Sequence, residues 1–205
     1  EWEVKRNNWK PDVSLMSWSL GVVPALSAIV KLFSNDGDKV LIQTPVYSEF
    51  YDVVEAWDRT VVENKMVEEF RKRLCMSELI VYYIFLLCNP HNPLGIVWNP
   101  ADLKKMAELC IENNTLLVSD EIHSDLIFHG KHHTPTATLS PEIAEHIITC
   151  VSATKTFNLA GLQASTTIFP NAEMKAVFDK FWGGMDIHRN NAFSSVAMEA
   201  AYREG

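Results

Sequence analysis

The sequence predicts an α/β fold: a mainly parallel sheet with helices on both faces. Three observations carry this expectation. Short β-rich runs alternate with helical ones along the chain; the run Leu79 to Cys88 is long enough only for a buried central strand; and polar, chemistry-bearing residues gather just after strands.

From the N-terminus, Gly21 to Phe33 places Val22, Leu26, Ile29, Val30 and Phe33 at helical spacing, and Asn35-Asp36-Gly37 stops it. Val40 to Ile42 then reads as a strand ended by Thr44-Pro45, Val46 to Trp57 as a helix, Thr60 to Val62 as a strand and Glu68 to Arg73 as a charged helix. After the central strand, Asp102 to Asn114 is a helix that buries Leu103, Met106, Ala107, Leu109 and Cys110. Leu116 to Val118 and Ile147 to Val151 are strands that each run into a polar turn. Ala164 to Phe169 is one more strand, and Glu173 to Trp182 and Ala192 to Tyr202 are helices. In such sheets ligands bind where strands end at the carboxyl edge.

The 205 residues are 47% apolar and 21% charged, a globular balance that excludes disorder. No apolar run approaches the roughly 20 residues of a membrane span. A net charge of −8 argues against a partner held through phosphate charge, such as nucleic acid. The four cysteines (Cys75, Cys88, Cys110, Cys150) form no C-x-x-C pair, which fits a reducing, cytoplasmic setting. The chain opens on Glu1-Trp2-Glu3 with neither Met nor a signal-peptide pattern, so the natural N-terminus is expected upstream.

Several local motifs have familiar readings that their context excludes. Asp120-Glu121-Ile122-His123 matches a helicase acidic box, but no G-x-x-x-x-G-K-[ST] loop precedes it. Ser152-Ala153-Thr154-Lys155 matches the S-x-x-K of penicillin-binding proteins without the companion boxes. His129-Gly130-Lys131-His132-His133 lacks a carboxylate or Cys at ligand spacing, so a solvated loop is expected there and no metal site. Trp98 is either a packing anchor or a pocket wall.

Four strand ends remain, and together they resemble something specific. Asn89-Pro90-His91-Asn92-Pro93-Leu94-Gly95, Ser119-Asp120-Glu121-Ile122-His123 and Ser152-Ala153-Thr154-Lys155-Thr156-Phe157-Asn158-Leu159-Ala160-Gly161 resemble the pyridoxal 5'-phosphate (PLP) enzymes of the aspartate-aminotransferase fold. With Gly21-Val22-Val23-Pro24-Ala25-Leu26 and Thr44-Pro45-Val46-Tyr47, the pattern is most similar to their carbon–sulfur β-lyase branch, the cystathionine β-lyases of the MalY/PatB type. The resemblance runs from about Trp18 to Glu204. It implies that residues 1–205 are the PLP-binding large domain, with the small C-terminal domain absent and both ends truncated.

The resemblance also implies a role for each residue. Lys155 would capture the cofactor aldehyde, because a desolvated amine readily exposes its lone pair. Asp120 would hold the pyridine nitrogen cationic, or serve as a helix N-cap, or both. Asn92 would donate to the phenolic oxygen, with His123 near the same atom, and Tyr47 would stack on the ring. The phosphate would sit over Gly21, Val22 and Val23, with Ser152 adding a hydroxyl. Gln163 stands where many superfamily members carry a phosphate-binding Arg, and no residue matches the Arg that grips the substrate carboxylate; Arg189 is out of place. The implied reaction is α,β-elimination on a small amino-acid substrate, cystathionine or another L-cysteine S-conjugate, by a homodimer with no nucleic-acid or membrane partner. A PLP-dependent aminotransferase and a non-catalytic interaction module are the alternatives.

Overall fold

The computed structural model describes residues 1–66 and 83–205. The helix expected over Glu68 to Arg73, Cys75 and the first residues of the run Leu79 to Cys88 lie outside the described residues. Helix α1 (Trp2–Asn7) leads through a 3-10 turn (Val13–Leu15) to β1 (Met16–Ser19) and α2 (Val22–Phe33). Then come β2 (Lys39–Thr44), α3 (Glu49–Glu55), β3 (Thr60–Lys65), β4 (Ile84–Cys88), α4 (Pro100–Glu112) and β5 (Leu116–Asp120). The one-turn helix α5 (Pro141–Ala144), β6 (Ile147–Val151), the one-turn α6 (Ala153–Thr156), β7 (Ser165–Ile168), α7 (Ala172–Gly184) and α8 (Ala192–Glu204) complete it.

The strands form one seven-stranded sheet in the order β1-β7-β6-β5-β4-β2-β3. Strands β3, β2, β4, β5 and β6 are mutually parallel, and β7 runs antiparallel to both β6 and β1. The expected mainly parallel sheet is present, with an antiparallel edge that the sequence pattern did not indicate.

Side-chain alternation along the strands splits the core into two layers. Ile84, Leu86 and Cys88 of β4 face the layer built with α2, α3 and α7, where Leu26, Ile29, Phe50 and Phe178 pack. Phe85 and Leu87 face the opposite layer with Leu103, Met106 and Cys110 of α4. Every β4 residue is therefore buried, as a strand covered on both faces must be. Trp98 belongs to this second layer and donates its indole N–H to the Cys88 carbonyl at 2.9 Å, so it is a packing anchor.

Helix ends are fixed by side chains the sequence supplies. Asn99, Asn171 and Asn191 accept a backbone N–H from the first turn of α4, α7 and α8 respectively. Helix α2 is secured at its other end. The buried Arg59 donates to Ser34 Oγ at 2.9 Å and to the Lys31 carbonyl at 3.3 Å, and pairs with Asp36 at 2.6 Å. That cation satisfies terminal carbonyls of α2 and complements the negative end of its dipole. Among the described residues no helix is long and apolar enough to cross a membrane.

Candidate active site

Because β2, β4, β5 and β6 are parallel, their carboxyl ends (Thr44, Cys88, Asp120 and Val151) lie along one edge of the sheet. Strand β1 pairs antiparallel with β7 in the register Ser19↔Ser165, which brings Gly21 and the segment entering β7 to the same edge. There the chain forms a cavity of about 340 Å³ lined by Gly21, Val22, Val23, Tyr47, Asn92, Asp120, His123 and Lys155, together with Gln163, Cys88 and Thr154. Eight of the nine residues expected at the site thus share one cavity. Their order along the edge follows from the strand order.

Ser152 is the exception. It is not among the lining residues: its hydroxyl donates to the Ala164 carbonyl at 2.6 Å and accepts the Thr154 N–H at 3.1 Å. Its hydroxyl caps α6 and ties it to the start of β7, a use that strand-end spacing does not reveal.

The first turn of α2 presents backbone donors to the cavity. Gly21 is its N-cap and has no side chain to accept them; the first intrahelical bond runs from the Ala25 N–H to the Gly21 carbonyl at 3.2 Å. Val22 and Val23 therefore offer N–H groups without helical partners, at the positive end of the dipole. The φ of +122° at Gly21 is open to glycine and strained for any L side chain.

Asp120 ends β5, and no helix follows it. Its Oδ1 accepts the Ile122 N–H at 3.1 Å, a turn-type bond in place of the helix N-cap that the sequence also allowed. Burial, reinforced by the neighbouring Glu121, pushes its carboxyl up to about 7, against the Ile122 N–H and the Lys155 charge. Burial and then the Lys155 charge push His123 below its ordinary value, so its imidazole is neutral at pH 7. Burial raises the Cys88 thiol to about 12, which keeps it protonated.

Two loops present the remaining groups. The Asn92 N–H donates to Cys88 Sγ at 3.3 Å, and the Tyr47 N–H donates to the Asn92 carbonyl at 3.2 Å, which locks the β2 and β4 loops together. Lys155 projects from α6 at the mouth of the cavity, where it is exposed.

The His-rich loop is exposed from His129 to His132, as expected, and departs from expectation at His133. His133 is buried and its Nε2 lies 2.9 Å from Glu121 Oε2. The other carboxylate oxygen accepts Ser119 Oγ at 2.9 Å, the Thr136 N–H at 2.9 Å and Thr136 Oγ1 at 3.0 Å. The loop is therefore anchored directly behind Asp120 and is not simply solvated. A buried acid one residue past a strand end, with a histidine downstream, was the available signal.

An amine, a buried acid and a helix N-terminus thus surround one cavity at the carboxyl edge of an α/β sheet. The family model "Aminotransferase class I and II" matches residues 15–201, and the chain belongs to that family. It is 41% identical, over its whole length, to cystathionine beta-lyase PatB of Bacillus subtilis, of which it covers 54%. Among solved structures it matches cystalysin of Treponema denticola, which contains PLP, with a TM-score of 0.93 and 31% identity, covering 99% of this chain and 53% of that one. It also matches the PLP-bound C–S lyase of Staphylococcus hominis with a TM-score of 0.89 and 31% identity, over 100% and 52% of the two chains. The chain spans about half the length of the relatives it matches.

Proposed function

We propose that residues 1–205 form the cofactor-binding large domain of a PLP-dependent carbon–sulfur β-lyase. Its reaction is α,β-elimination on cystathionine or another L-cysteine S-conjugate, giving a thiol, pyruvate and ammonia. The observation that carries the reading is that Lys155 and Asp120, at the ends of adjacent parallel strands, line one cavity with the open N-terminus of α2. The similarity to PatB and to the two PLP-containing structures supports the choice of cofactor and reaction.

The residues fit the cofactor at both of its charged ends. The Val22 and Val23 N–H groups would hold the phosphate, and Asp120 would hold the ring nitrogen. Bound there, PLP supplies an aldehyde that an amine can capture and a ring that draws electrons away from a substrate's Cα. Lys155 Nζ takes the proton from Cα and later returns one to the leaving fragment. Asn92 would donate to the phenolic oxygen with His123 beside it, and Tyr47 would cover a face of the ring. Gln163 brings no charge to the phosphate end, so backbone donors carry more of the anion than an Arg there would leave them.

A homodimer fits this reading, because a single chain leaves Lys155 exposed and Tyr47 37% exposed. Cys88, Cys110 and Cys150 are free and buried, which supports a reducing, cytoplasmic setting. The test is Lys155→Ala in the full-length protein. The wild type incubated with PLP and borohydride gains a pyridoxyl mass on Lys155 and releases pyruvate from L-cystathionine; the variant does neither. Pyruvate release by Lys155→Ala overturns the assignment, and amino transfer to an added keto acid in place of pyruvate release moves the protein to the aminotransferase class.

A further inference from the structure

The turn after β5 holds another carboxylate, one with no part in the chemistry above. Asp125 lies two residues beyond His123, and its side chain is only 5% exposed. Its Oδ2 accepts the Thr156 hydroxyl at 2.9 Å and the Trp2 indole N–H at 3.0 Å, and its Oδ1 accepts Arg6 Nε at 3.3 Å. Thr156 directly follows Lys155 on α6; Trp2 and Arg6 belong to α1. The Trp2 ring lies edge-on to Phe157, with centroids 5.5 Å apart, and 5.5 Å from Tyr202 of α8. The Arg6 guanidinium sits 5.6 Å over the Trp2 ring.

Helix α6 is four residues long, and a single turn does not hold itself in place. Ser152 caps its first turn by accepting the Thr154 N–H. The turn that carries Lys155 needs a second tie, and Asp125 supplies it across the gap between the β5 and β6 ends. We propose that Asp125 is a positioning residue: through the Thr156 hydroxyl it fixes the Lys155 turn relative to Asp120 and His123, and through Trp2 and Arg6 it makes that placement depend on α1 being docked. The proposal rests on Lys155 being the cofactor lysine.

The test uses the full-length protein with PLP and follows the rate at which borohydride-fixed pyridoxyl mass appears on Lys155. Thr156→Val keeps the side-chain shape and removes the donor. Its rate should fall roughly tenfold, the loss expected for one hydrogen bond to a charged acceptor. Thr156→Ser restores the donor and should stay within about twofold of wild type. Asp125→Ala removes the acceptor for Thr156 and for Trp2 and Arg6 as well, so it should be at least as slow as Thr156→Val, and adding Thr156→Val to it should slow it no further, because the tie is already gone. A wild-type rate in Thr156→Val, a Thr156→Ser as slow as Thr156→Val, or additive losses in the double variant would overturn the positioning role. Absence of mass on Lys155 in the wild type overturns the cofactor assignment itself, so the two failures read differently.

Discussion

Asp120→Asn is expected to stabilise the cofactor-free protein at neutral and alkaline pH while weakening cofactor binding. Burial holds the Asp120 carboxyl at about 7 in the folded chain, against an ordinary 3.8. Between those values the folded state carries a proton that the unfolded chain has already lost, so stability falls as pH rises from about 4 to about 7. At about 1.4 kcal/mol per pH step the full loss has a ceiling of about 4 kcal/mol, and water entering the cavity trims it to about 2–4 kcal/mol. Asparagine keeps an oxygen for the Ile122 N–H and carries no charge. Urea unfolding of both proteins without PLP should give near-equal stability at pH 4, with the variant ahead by that margin at pH 8. Taking the difference between the two proteins cancels the titration of every other group. With PLP present the order should reverse, because the aspartate then has a cation to pair with. A margin that does not change with pH, or a variant less stable than wild type at pH 8 without PLP, would refute the argument that burial of this acid outweighs the Lys155 charge and the Ile122 N–H.

Arg59→Leu leaves Asp36 and the last carbonyls of α2 without their buried partner and should cost about 3 kcal/mol in urea unfolding, several times the loss from removing an exposed pair such as Lys104–Glu108. His133→Ala strips Glu121 Oε2 of its buried hydrogen-bond partner and should cost about 1–3 kcal/mol, whereas Glu121→Gln paired with His133→Ala should recover part of that loss in the same assay. Gln163→Arg adds a cation to the cavity lining beside the proposed phosphate site and should lower the PLP dissociation constant by roughly 3–10-fold, with the gain shrinking at high salt.

The sequence carried the sheet and the site for one physical reason: both are written in strand ends. A strand buried on both faces has to be apolar throughout, so Ile84 to Cys88 and Ile147 to Val151 stand out, and the polar residues directly after them fall at the carboxyl edge. What the sequence hid depends on long-range partners. Strand β1, Met16 to Ser19, alternates Ser with larger residues over only four positions and becomes a strand by pairing with β7 about 150 residues later. The helix expected over Val46 to Trp57 shortens to Glu49–Glu55, because the Tyr47 N–H is drawn to Asn92. His133 read as a solvated loop residue until Glu121 was seen to meet it across twelve positions. Asp125 carried no signal at all, since its three donors come from α1 and α6, up to 123 residues away.

An acidic protein that holds a phosphate must do so with groups that a net charge of −8 does not count. The N-terminus of α2 is such a group: its donors are backbone, its field is the summed peptide dipole, and glycine at the cap keeps any side chain from satisfying them first. The same economy explains Asp120. An acid that burial leaves about half protonated at pH 7 adds less negative field to the cavity than an exposed carboxylate, and it would become a full counter-ion beside a cationic ring. Phosphate at one end and cation at the other thus each convert a latent unsatisfied group into a satisfied one, and neither end requires a permanent surface charge. Exchanging the two, with a free arginine for the helix end and an exposed aspartate for the buried one, would leave a cavity that attracts ions in general. The buried arrangement instead sets its backbone donors and its acid inside one cavity of about 340 Å³.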